Sequence, residues 1–114
     1  MKKIIIIFST FFIAGSLLAN EVNIFSARHY DSDIQLYKKF TKKTGVKVNV
    51  VSGKSGALEK RIIAEGSDSK ADLYITADAG RLGAFDAKGM LQGGLNTSSI
   101  KSAVPSNFRT SKWV

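Results

Sequence analysis

The chain has no cysteine among its 114 residues and only one histidine, His29. The first absence excludes a disulfide in an exported domain, and it also removes the lipid-modified cysteine that tethers many exported binding proteins. With no thiol and no second imidazole, nucleophile–base pairs built on those groups are unavailable within the chain, and no lysine-dependent serine motif takes their place. The sequence shows no internal repeat and no low-complexity tract. Acidic residues are few, 9 against 17 lysines and arginines, for a formal net charge of +8. The cations alternate with acids and gather mainly on one predicted helix, at Lys38, Lys39, Lys42, Lys43 and Lys47. That distribution describes a solvated helix face, so no nucleic-acid partner is expected.

A long apolar run occurs only at the start. Met1-Lys2-Lys3 precedes a nearly continuous apolar stretch from Ile4 to Ile13, and small residues then lead to Ala19 before polar Asn20-Glu21. A charged start, a greasy core and a small-residue site in that order describe a secretory signal peptide. The run is short of the ~20 apolar residues that span a bilayer. We therefore expect cleavage after Ala19, residues 1–19 as signal and residues 20–114 as the mature domain. The mature product would be freely periplasmic, with no stable membrane insertion. A cut after Ser16 is the alternative.

Beyond that point apolar periodicity alternates between two kinds. Val22 to Ser26 mixes β-branched and aromatic residues and predicts a strand. Ser32 and Gln35 form a capping box for a helix whose apolar stripe is Ile34, Leu36, Tyr37 and Phe40, and Gly45 sits at a terminator position. A second strand covers Val46 to Val51. A second helix begins at Ser55 or Gly56, carries Leu58, Ile62 and Ile63, and stops at Gly66. Ala71 to Thr76 predicts a third strand, and Asp78 caps a third helix that presents Leu82 and Phe85 before Gly89. A short helical turn is expected near Ile100 to Val104, ahead of Pro105, the single proline. The closing Ser111-Lys112-Trp113-Val114 suggests the start of a further strand, and so a domain cut short. The βαβαβα order requires crossover helices on the faces of a parallel sheet, hence an open, mainly parallel α/β architecture.

In such sheets ligands gather at the carboxyl ends of the strands, where helix amino termini present free N–H groups. Three junctions qualify. Ser26-Ala27-Arg28-His29-Tyr30 holds the lone imidazole beside a phenol, and both donor types serve iron. Its bland reading is a loop histidine and a tyrosine packed on the next helix. Ser52-Gly53-Lys54-Ser55-Gly56 offers backbone N–H groups to an oxyanion, or is an ordinary strand-to-helix turn. It lacks the opening glycine of a phosphate-binding P-loop, so nucleotide hydrolysis is unsupported. Thr76-Ala77-Asp78-Ala79-Gly80 supplies a helix cap.

The segments Ile24 to Tyr30, Ser55 to Ile62, Ala64-Glu65-Gly66 and Ala71 to Leu82 resemble the iron(III)-binding components of bacterial ABC importers, across nearly the whole mature stretch. The resemblance implies the amino-terminal lobe of a two-lobed periplasmic binding protein of type II. It further implies ferric ion as bound ligand, an inner-membrane ABC permease as partner, and binding without catalysis. In relatives with the Arg-His-Tyr pattern the histidine and tyrosine face the metal, which assigns His29 and Tyr30 as metal ligands. Arg28 is a weaker candidate for a supporting positive charge or an anion contact. Further tyrosine ligands of those relatives come from later sequence, and Tyr37 and Tyr74 do not match them. A synergistic anion, if required, is unidentified. Two other readings stand beside this one: a binding protein for an oxyanion or small organic solute, and a nonfunctional exported remnant.

Overall fold

The computed structural model describes residues 20–114; the signal peptide expected over residues 1–19 lies outside the described residues. The elements run β1 (Glu21–Ser26), α1 (Asp31–Thr44), β2 (Lys47–Ser52), α2 (Ser55–Glu65), β3 (Leu73–Ile75), α3 (Ala79–Ala87) and α4 (Ser98–Ala103), with short 3-10 turns at Gly66–Asp68 and Ser106–Phe108. The three strands form one parallel sheet in the order β2-β1-β3. This is the alternating α/β order expected from the sequence, with a third strand shorter than anticipated.

The strand order places β1 at the centre and reverses the direction of winding there. The chain steps from β1 to β2 on one side, then crosses back over β1 to β3. With right-handed crossovers, those two steps put α1 and α2 on opposite faces of the sheet. Pairing of Phe25 with Val51 and Tyr74 assigns these three to one face, by the alternation of a strand. That face is closed. Phe25, Leu58, Ile62 and Phe85 form the buried core, with Phe25 only 1% exposed. Tyr74 packs on Phe85 with ring centroids 5.3 Å apart, and the Arg61 guanidinium lies 5.0 Å from the Phe25 ring centroid.

The other face carries Ile24, Val50 and Leu73 and is thinly covered by α1. Ile24 is buried, but Val50 and Leu73 remain half-exposed, and α1 itself buries no residue. Its predicted stripe is only partly used: Tyr37 is partly buried, whereas Ile34, Leu36 and Phe40 stay exposed. Register is fixed by a polar ladder at the amino end of the sheet. Asp72 accepts from the Asn23 backbone N–H at 2.7 Å and from its amide, and Asn49 donates to Asn23 Oδ1 at 3.0 Å.

Two expectations at element ends are not met, for identifiable reasons. Helix α1 starts at Asp31 with Tyr30 at the cap position, and no side chain caps it. The Ser32–Gln35 capping box is therefore not formed. Instead the Tyr30 carbonyl accepts from Asp33 N–H at 3.0 Å, and Asp31 and Asp33 place negative charge in the first turn, where the helix dipole favours it. Residues 111–114 form no strand: Thr110 Oγ1 accepts from the N–H groups of Lys112 and Trp113, and Thr110 N–H reaches the Trp113 carbonyl, closing a turn. Helix α3 ends at Ala87, with Gly89 in the expected terminating position, left-handed at φ 70° with its N–H on the Asp86 carbonyl. Gly45 likewise ends α1 as expected in a left-handed conformation, φ 75°, with its N–H on the Thr41 carbonyl.

Candidate metal centre

All three strand-end junctions meet at the carboxyl edge of the sheet. Ala27 N–H extends the ladder to the Ile75 carbonyl at 2.9 Å, and Gly53 N–H reaches the Ser26 carbonyl at 3.2 Å. The hydroxyls of Ser55 and Thr76 lie 3.3 Å apart and tie the second junction to the third. The second junction proves to be a packed turn. A Cβ on Gly53 would stand 3.1 Å from Leu58, and its N–H is already used, so this glycine serves close packing against the core. Asp78 caps α3, accepting from Gly80 N–H at 2.8 Å.

At the first junction β1 ends in Ser26, which is 1% exposed, and the chain then emerges towards solvent. Ser26 holds the turn: its Oγ accepts from Arg28 N–H at 3.1 Å and donates to the Arg28 carbonyl at 3.2 Å. His29 and Tyr30 follow on the exposed loop, and Tyr30 is 59% exposed. Both line a cleft of about 240 Å³ between α1 and the sheet, together with Arg28, Asp33 and Tyr37. The structure thus brings the two sequence-predicted ligands to one cleft at the end of the central strand, with both side chains accessible. Among the described residues no group of three or more histidine, cysteine, aspartate or glutamate side chains is placed to hold a metal ion.

The neighbouring tyrosines are in different states. Burial pushes the Tyr37 phenol above its usual range, the Asp33 carboxylate adds to this, and Arg28 and the Ser26 hydroxyl pull the other way. Burial also raises Tyr74, reinforced by the 2.7 Å hydrogen bond that its hydroxyl donates to Glu59. Arg81 Nη1 lies 3.3 Å from both oxygens of that carboxylate. In both, partial burial disfavours the phenolate.

Two partners of the site have no simple sequence cue. Asp33 accepts from Arg28 Nη2 at 3.0 Å, and the Arg28 guanidinium lies 5.2 Å from the Tyr30 ring centroid. An acid in the first helical turn is ordinarily explained by the dipole, so nothing in the sequence marks it as the anchor of an arginine. The Glu59–Tyr74–Arg81 contacts join residues 15 and 22 positions apart and follow only from the crossover of α2.

The family model for bacterial extracellular solute-binding proteins matches residues 26–105. Iron uptake protein A1 of Synechocystis is 40% identical over 90 residues, which cover 79% of this chain and 25% of that protein. Among solved structures, a Trichodesmium protein in complex with iron and citrate ligands superposes with a TM-score of 0.76 at 44% identity, covering 82% of this chain and 29% of that one. The ferric binding protein from Campylobacter jejuni gives a TM-score of 0.71 at 40% identity, covering 81% and 29%. The chain therefore spans between a quarter and a third of the length of these relatives.

Proposed function

We propose, from the premise that this chain belongs to the bacterial extracellular solute-binding protein family, that it captures ferric iron outside the cytoplasm for delivery to an ABC importer, binding without catalysis. The observation that carries this reading is the pair His29 and Tyr30, presented side by side and accessible at the end of the central strand, in a chain about 40% identical to proteins named for iron. On this reading His29 and Tyr30 are ligands of the cargo ion. A ferric ion takes about six hard donors, so the remaining positions fall to water, an anion or residues outside this set. Residues 20–114 would form part of one lobe around the ion, and the inner-membrane permease would receive it. Family membership accords with an extracytoplasmic location. Cleavage after Ala19 is the finer expectation, read by intact mass and amino-terminal sequencing of the exported product; a product retaining Met1 in the membrane would overturn it.

The ligand assignment is tested in a chimaera in which residues 20–114 replace the matching segment of the Trichodesmium protein. Titration with ferric citrate should give a visible phenolate-to-iron absorption band. Tyr30→Phe should lower its intensity and the affinity, because an anionic ligand is lost, and His29→Ala should weaken binding less. Unchanged colour and affinity in Tyr30→Phe would refute the metal reading and return the cleft to an oxyanion or small organic solute.

A further inference from the structure

We propose that Arg28, anchored by Asp33, is a positioning residue that holds the Tyr30 ring in place before metal arrives. This rests on the reading of Tyr30 as a ligand and adds to it what keeps an exposed side chain poised. A tyrosine with more than half its surface in solvent has little packing to restrict its rotamers, and ordering it on binding costs free energy. The Arg28 guanidinium supplies the missing contact, 5.2 Å from the ring centroid, a distance at which a cation is attracted to the face of an aromatic ring.

The arginine is itself fixed from three directions. Its backbone N–H and carbonyl are both held by Ser26 Oγ, the buried end of β1. Its Nη2 donates to Asp33 Oδ1 at 3.0 Å, on the first turn of α1. Asp33 N–H in turn donates to the Tyr30 carbonyl at 3.0 Å, closing a ring of contacts around the loop. The Asp33 side chain is 18% exposed and that of Arg28 38%, so the pair is partly shielded from solvent. Asp33 also balances the charge of Arg28, so the guanidinium can sit beside a site for a trivalent cation without presenting a net positive charge to it.

Charge and position are separated by the choice of variants. Arg28→Ala alone leaves Asp33 unbalanced and would strengthen cation binding electrostatically, masking any loss of order. Arg28→Gln combined with Asp33→Asn removes both charges and keeps the balance. In the metal-free chain and the chimaera, the Arg28 Cδ protons should show an upfield ring-current shift by NMR that disappears in Tyr30→Leu. In the iron-loaded chimaera the double variant should release iron roughly two- to fivefold faster, the range a partly exposed cation–ring contact supports. Its phenolate resonance Raman bands should broaden, and Arg28→Lys, which keeps a cation over the ring, should restore part of the loss. Weakened colour and affinity in Tyr30→Phe with unchanged release and bands in the double variant would overturn the positioning role while leaving the ligand assignment intact. Random-coil shifts for Arg28 in the folded, unsubstituted chimaera would overturn it without any variant, and unchanged colour and affinity in Tyr30→Phe would remove the reading on which it rests.

Discussion

The thinly covered face of the sheet predicts that residues 20–114 self-associate when isolated. Ile34, Leu36, Phe40, Val50 and Leu73 retain between 43% and 61% of their exposure. Full burial of such a side chain contributes ~1.5–3 kcal/mol, so half-burial of five leaves roughly 4–8 kcal/mol of apolar stabilisation unused. That is comparable to the entire net stability of a typical domain, ~5–15 kcal/mol. β3 adds an open edge whose outer backbone groups have no strand partner among the described residues. Replacing Leu36 by Gln and Leu73 by Thr would remove two of the most exposed apolar side chains without touching the core of Phe25, Leu58, Ile62 and Phe85. Sedimentation velocity over a wide concentration range should show the unsubstituted chain associating and the double variant more monomeric, with weaker binding of a hydrophobic dye. A monomeric unsubstituted chain, with slow cooperative amide exchange through β1, β2 and β3, would refute the reasoning.

Two further outcomes concern the packed elements. Tyr37 and Tyr74 both have phenols raised above the ordinary value of 10.0, so each favours the protonated folded state; their contribution is fully present below pH 10 and is lost as pH climbs through the raised values, and denaturation midpoints should fall in that alkaline window. Absorbance titration should show these two phenolates forming above the ordinary tyrosine range, and ionisation of both at or below it would contradict their partial burial. Asp78→Ala removes the side-chain cap of α3 and should cost ~1 kcal/mol in the chimaera, read by urea denaturation, whereas Asp78→Asn should cost little.

The parts legible in the sequence were those governed by local rules. Strand and helix alternation, the left-handed stop at Gly45 and the cap at Asp78 depend on a few consecutive residues, and each lies where its pattern put it. Ser32 failed as a cap because two acids and the Tyr30 carbonyl offered the first turn a better start, a competition that a capping motif taken alone does not weigh. The apolar stripe of α1 was real as periodicity, yet its burial depends on what covers the sheet, which is a tertiary property. The oxyanion reading of Ser52 to Gly56 weakened for a similar reason: Gly53 answers to Leu58 and to the Ser26 carbonyl, partners set by the parallel register. The first junction could be singled out because strand-end loops in such sheets converge, but the choice of His29 and Tyr30 as ligands came from the family resemblance, and Asp33 acquired its partner only once α1 had folded back beside Arg28.

Three tyrosines are present, and their surroundings decide which can serve a ferric ion. Recruiting Tyr74 would require removing a proton from a partly buried phenol, breaking its 2.7 Å hydrogen bond to Glu59, and placing a second negative charge beside that carboxylate. A hydrogen bond to a charged group contributes ~1.5–3 kcal/mol, so that step alone disfavours Tyr74 by roughly one to two orders of magnitude. Tyr37 faces burial and the Asp33 carboxylate, which act in the same direction. Tyr30 differs in place: its side chain is 59% exposed in the first-junction cleft, beside the Arg28 guanidinium that Asp33 balances. Tyr74→Phe in the chimaera should therefore leave the iron band at full intensity. It should also lower stability by no more than the hydrogen bond to Glu59, since Arg81 still balances that carboxylate. A band lost in Tyr74→Phe but kept in Tyr30→Phe would place the metal on the core side of the sheet and overturn the assignment at the first junction.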